Sequence, residues 1–175
     1  MSILPNFRIR QKSIITPYHA RVAGEGILSH GEGFYGYDIT LGTQFSRPFY
    51  GQTLDPKKHE EQKWEEFMAL RQPFVLPPKE FVLGVSLERF VVPKDVIGVA
   101  VTKSTYARLG IFCNITPLEP GWRGYLTIEI ANLGYSNVVI YPSEGIAQVM
   151  FFQGEQPEGE YAGKYQDQKG ITHAK

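Results

Sequence analysis

The sequence predicts an all-β domain, a barrel or a sandwich, and three observations predict it. The 175 residues include 18 Gly and 12 Pro, a turn-rich composition that suits short strands rather than a helix bundle. Apolar runs are strand-length and broken by turn residues at short spacing, as in "FVLPPKEFVLGVSLERFVVPKDVIGVAV" over 74–101. The segment "YLTIEIAN" alternates strictly: Leu126, Ile128 and Ile130 share one face, and Tyr125, Thr127, Glu129 and Ala131 share the other. A chain of 175 residues fits one domain, 1–175, and can bury a substantial core.

Residues 1–20 carry too little periodicity to assign. "GEGILSHGEGFYGYDITLG" (24–42) reads as turns and short strands whose backbones approach something closely. "HEEQKWEEFMAL" (59–70) is the best helix candidate, with Trp64, Phe67 and Met68 at i, i+3 and i+4; the other reading is a charged, partly mobile surface insertion. "KSTYARLG" (103–110) predicts a single helical turn stopped by Gly110. "LEPGWRG" is a turn ahead of the alternating strand, and "SNVVIYPSEGIAQVMFF" supplies two strands around a Pro-Ser-Glu-Gly turn. The polar, Gly-rich tail 153–175 predicts a flexible end unless something orders it.

Charge and cysteine content narrow the partners. With 18 basic and 18 acidic residues there is no global field to recruit nucleic acid or an anionic membrane, so phosphate binding must be local. No apolar run approaches the roughly 20 residues that span a bilayer. "MSILPNFRIRQKS" lacks the apolar h-region of a signal peptide, and the single Cys113 suits a reducing compartment, so a cytoplasmic location is expected.

Glu129 projects from the non-core face of its strand beside Thr127, where a lone glutamate is usually just solvated. Lys103, Ser104 and Arg108 lie in one short segment before the hairpin that leads to it. A hairpin could bring these groups to one cleft, with Ser, Arg and backbone N–H groups forming an anion cradle.

"KSTYARLGI", "TPLEPGWRGYLTIEIAN", "EGIAQVMFF" and "GKYQDQKGIT", in this order, resemble the dCTP deaminase family, a metal-free branch of the dUTPase-like superfamily. The resemblance runs from about Ser29 to the C-terminus and is less distinct over 1–20 and 53–72. It implies a distorted, jelly-roll-like β-barrel of the dUTPase type with a few short helices. It implies a homotrimer with nucleotide sites between subunits, and Mg²⁺ bound through the triphosphate rather than by protein ligands. The activity implied is hydrolytic deamination of dCTP to dUTP and ammonia, in the supply of dUMP and dTTP. Glu129 matches the family's proton-shuttling glutamate, and Ser104 and Arg108 match residues that contact phosphate and help place the water. Lys103, Thr105, Tyr106, Ala107, Thr116, Pro117, Glu119, Thr127, Ile128 and Gln148 fall on nucleotide-site positions. Tyr161, Lys164 and Gln168 match residues that close over the triphosphate, making 153–175 a lid. Glu119 stands where many members carry aspartate, and the turn 116–118 is about two residues shorter than in other branches.

One carboxylate reaching both water and ring can make all the proton transfers of deamination if its pKa lies near working pH. Zinc-dependent nucleobase deaminases instead need an H-x-E and a P-C-x-x-C segment. Neither Cys113 nor any of His19, His30, His59 and His173 sits in such a spacing, so no zinc is expected, and Cys113 reads as a small buried hydrophobe. Three alternatives stay open. A dUTPase would normally carry an apolar residue at position 129. A bifunctional enzyme would take dCTP to dUMP and pyrophosphate with Glu119 and Glu129. A non-catalytic nucleotide-binding trimer, holding dTTP or dUTP, would use the same scaffold.

Overall fold

The computed structural model describes residues 1–70 and 72–175; Arg71, within the weakly matching 53–72 stretch, lies outside the described residues. The elements run β1 (Ser2–Ile3), α1 (Asn6–Gln11), β2 (Ile15–Thr16), β3 (Val22–Gly24), β4 (Ile27–Glu32), β5 (Tyr37–Pro48), β6 (Trp64–Met68), β7 (Phe74–Leu76) and β8 (Phe81–Val91). They continue with β9 (Val96–Thr102), α2 (Ser104–Arg108), β10 (Ile111–Asn114), β11 (Arg123–Asn132), β12 (Val138–Ile140) and β13 (Gly145–Gln153). The fold is all-β, as the turn-rich composition predicts. Among the described residues eleven strands join one curled sheet: six follow the path β1-β13-β5-β8-β11-β10, β2, β3, β4, β6 and β9 pair off that path, and β12 pairs with β7 in a second, two-stranded sheet.

Alternation decides which face is inside. On β11, Leu126, Ile128 and Ile130 are buried while Tyr125, Thr127, Glu129 and Ala131 are only half-buried, so one face packs and the other opens outward. Tyr37, Ile39, Leu41, Phe45, Phe90 and Phe151 complete the core on β5, β8 and β13. Phe45 packs edge-on to Phe74 at 4.7 Å between ring centroids and stacks on Phe67 at 5.4 Å.

The ladder between β11 and β8 slips between Tyr125 and Thr127, where β8 carries extra residues. The irregularity leaves the Leu126 amide without a backbone partner, and the buried Ser86 Oγ accepts it at 2.9 Å while donating to Glu88 O at 2.7 Å. Glu88 is fully buried; Tyr37 Oη donates to it at 3.2 Å and the Thr40 amide at 3.1 Å. Burial pushes its carboxyl up, against those hydrogen bonds.

One element departs from expectation. The stretch 59–70 is not a helix: it forms a single 3₁₀ turn at His59–Glu61 and then strand β6. The unpaired edge of β5 supplies the reason. β6 pairs antiparallel with Gln44–Pro48, which sets Arg47 opposite Glu65 in an ion pair at 2.8 Å and Phe67 opposite Phe45. Backbone pairing and the Phe45–Phe67–Phe74 cluster outweigh a helix propensity of a few tenths of a kcal/mol per residue. The short helical turn is where it is expected, α2, and Gly110 ends it with φ of 85°.

Ile128→Ala removes a fully buried side chain from the centre of β11. The expected cost is about 2–5 kcal/mol, read as a lower urea midpoint at unchanged slope. An unchanged midpoint would contradict this assignment of the core face.

Candidate active site

The β10–β11 hairpin sets Asn114 directly opposite Glu129. Asn114 Nδ2 donates to Glu129 Oε2 at 2.8 Å. Glu129 sits half-buried on the outward face, and burial pushes its carboxyl above the ordinary glutamate range; the Asn114 hydrogen bond and the residue's own backbone amide oppose the rise. Desolvation wins. A carboxyl moved in this direction holds a proton closer to neutral pH than a solvated one, which is what a group that both takes and gives protons needs.

Glu129 opens into a cleft of about 430 Å³, the size of a small-molecule site. Thr127 and Leu126 share its floor, and Thr116, Pro117, Glu119 and Trp122 of the 115–122 connection form one wall. Leu54, Pro56, Gln62 and Trp64 also line it, which places β6 and the segment before it at the site. The tail closes the remaining side with Tyr161, Tyr165, Gln168, Thr172 and Ala174.

The tail is ordered by specific bonds. Trp122 Nε1 donates to Tyr165 O at 2.9 Å, the Tyr161 amide to Pro120 O at 2.8 Å, and the Tyr125 amide to Gln168 O at 3.0 Å. Arg123 pairs with Asp167 through Nε at 2.6 Å and Nη2 at 3.0 Å, and the Thr172 amide donates to Thr127 Oγ1 at 3.0 Å. Gly124, at φ 149°, admits this approach: a Cβ there would stand 2.8 Å from the Gln168 amide nitrogen.

The structure gathers Thr116, Pro117, Glu119, Thr127, Glu129, Tyr161 and Gln168 around one cleft. It does not bring the other expected residues there. The Ile128 side chain is fully buried beneath the sheet, leaving only its backbone for a ligand. Lys164 is exposed, with its ammonium against the Lys175 carbonyl. Tyr106 is buried, its hydroxyl accepts the Tyr141 amide at 2.9 Å, and burial pushes its pKa up to about 12, so its ring anchors α2. Lys103 is neutralised by Asp38 Oδ2 at 2.7 Å, both side chains largely buried. Ser104, Thr105, Ala107 and Arg108 are exposed on α2, and Gln148 is half-buried on β13. α2 leads into β10 at Ile111, opposite Asn132, and Glu129 lies three residues further along β11, about 10 Å by strand rise. Within one chain the anion cradle and the carboxylate are separate.

Asn114, Trp122, Tyr165 and the Leu54–Trp64 wall are site residues that the sequence reading did not single out. Asn114 needs the hairpin register, and the wall needs β6 as a strand. Cys113 is buried and its thiol is pushed up to about 12 by burial, the behaviour of a small hydrophobe rather than a nucleophile.

The molecule is thus a curled all-β domain with a half-buried carboxyl opening into a cleft of small-molecule size. The sequence profile of the dCTP deaminase-like family matches residues 7–154. A dCTP deaminase of Campylobacter fetus subsp. fetus (strain 82-40) is 44% identical over 174 residues, which cover 94% of this chain and 92% of that protein. A dCTP deaminase of Acidobacterium capsulatum is 40% identical over 181 residues, covering 98% of each. The crystal structure of 2′-deoxycytidine 5′-triphosphate deaminase from Agrobacterium tumefaciens superposes with a TM-score of 0.65 at 20% identity, over 87% of this chain and 48% of that longer one, which shows a shared fold. This chain belongs to the dCTP deaminase-like family.

Asn114→Ala removes the one side-chain donor that holds the Glu129 carboxyl down. Its titration should move to higher pH, read from the side-chain carboxyl carbon by NMR. A titration that stays put or moves down would show that this hydrogen bond does not set it.

Proposed function

We propose that the protein deaminates dCTP hydrolytically to dUTP and ammonia, with Glu129 as the proton shuttle. The observation that carries this reading is the half-buried Glu129, its carboxyl raised, at the floor of a cleft of about 430 Å³ in a chain at least 40% identical to curated dCTP deaminases. Glu129 takes a proton from water as the oxygen attacks C4 of cytosine and delivers it to N3. It then moves the proton of the new hydroxyl to the amine, and the C4–N4 bond breaks to release ammonia. One water is consumed, and the carboxylate is regenerated. In the proposed route the Glu129 carboxylate does the proton transfers that zinc-dependent nucleobase deaminases share with a metal-bound water. Mg²⁺ arrives with the triphosphate as part of the substrate.

The separation of α2 from the cleft supports a site completed between copies. Its polar groups are exposed, and so are apolar side chains of the segments that flank it in sequence: Val99, Val101, Leu109 and Phe112 are 38–55% exposed. In a homotrimer, Ser104 and Arg108 of one subunit would cradle phosphate at the Glu129 cleft of the next. The tail, with Tyr161 and Gln168, acts as the lid. A second reading has its own support: Glu119 lines the same cleft as Glu129, so a bifunctional enzyme that goes on to dUMP and pyrophosphate fits the geometry.

Incubating the protein with dCTP and Mg²⁺ and separating the nucleotides distinguishes dUTP from dUMP. Glu129→Gln should lower ammonia release by at least about 10³-fold while leaving nucleotide binding intact. Undiminished turnover in that variant would sink the role given to Glu129.

A further inference from the structure

The last residues of the tail do more than lie over the cleft. His173 stacks on Trp64, with ring centroids 4.3 Å apart and planes 10° from parallel. Its Nε2 is 2.8 Å from Ser46 Oγ. Ser46 is fully buried on β5, between β6 and β8, where a hydroxyl without a partner is costly. The tail supplies that partner. One residue earlier, the Thr172 amide donates to Thr127 Oγ1, two positions from Glu129 on the same strand face. Trp64 itself lines the cleft, so its indole is at once a wall of the site and the platform on which the tail rests.

We propose that His173 is a positioning residue: stacked on Trp64 and bonded to Ser46, it latches the tail shut across the Glu129 cleft and so sets how tightly the nucleotide is retained. The latch joins two parts of the chain that are far apart in sequence. β6 brings Trp64 to the site only as a strand, because its register opposite Pro48 fixes where the indole stands. The imidazole then seats in a place shaped by β5 and β6 together. His173 touches no reacting atom; it acts through the backbone of Thr172 and the closure of the lid.

The test compares His173→Ala and Trp64→Ala with wild type by hydrogen exchange and by dCTP kinetics, the kinetic arm resting on the deaminase reading above. Exchange over 170–175 in the nucleotide-free protein should speed up at least tenfold in both variants, with the core strands unchanged. In His173→Ala, KM for dCTP should rise about tenfold, with kcat within about twofold. Trp64→Phe, which keeps an aromatic platform, should recover most of the exchange protection lost in Trp64→Ala. Unchanged exchange in both alanine variants would overturn the latch. A fall in kcat at unchanged KM would overturn the positioning role and put His173 in the chemistry. Should wild type prove inactive on dCTP, the function reading falls, and the exchange arm still decides the latch.

Discussion

β11 can present Glu129 to the cleft only because Ile128 and Ile130 are held in the core on either side of it, and that anchoring depends on its register against β8. A slip of one residue would bury the carboxylate and expose the isoleucines. The Ser86 hydroxyl keeps the ladder intact past its irregularity, taking up the amide that the mismatch would leave unpaired. The register of β10 on the other side then puts Asn114 against Glu129. The tail docks on the same strand through Tyr125 and Thr127. Core, carboxylate and tail are therefore positioned by a single strand.

The electrostatics of the site follow from that placement. Glu129 loses water faster than it gains hydrogen bonds, so the folded state keeps its proton to higher pH than the unfolded chain does. Glu88 behaves in the same way in the core. For both groups the folded pKa lies above the unfolded one. Their contribution to stability is full in acid and falls as pH rises from the ordinary glutamate range through the folded value. The cleft accepts a standing cost in its ionised state for a carboxyl that can exchange protons. Asp38, 65 residues away in sequence, pairs with Lys103, and this ion pair secures the start of α2 to β5.

Features set by local pattern were legible in the sequence, and those set by pairing at a distance were not. Alternation placed Glu129 outward and Ile128 inward. Gly110 marked the end of α2, and the Pro-containing turns marked the strand ends. The segment 59–70 misled because its helix formers are a local signal, whereas the free edge of β5 that captures it is not visible in its own residues. Asn114, the Asp38–Lys103 pair and the aromatic wall at Trp64 need a register or a fold before they have any meaning. The expected meeting of α2 with Glu129 assumed that closeness along a hairpin is closeness in space; the two lie at different points of the β10–β11 ladder.

β6 hangs on the periphery of the sheet, paired to β5 alone. Among the described residues no further strand pairs on its outer edge, so the segment that precedes it can change in length and content without breaking a strand pairing of the sheet that carries Glu129. One side of the cleft is thus built as an interchangeable part. The mouth of the cleft can be reshaped by rewriting one peripheral loop, while the strand that carries Glu129 and the core beneath it stay constant.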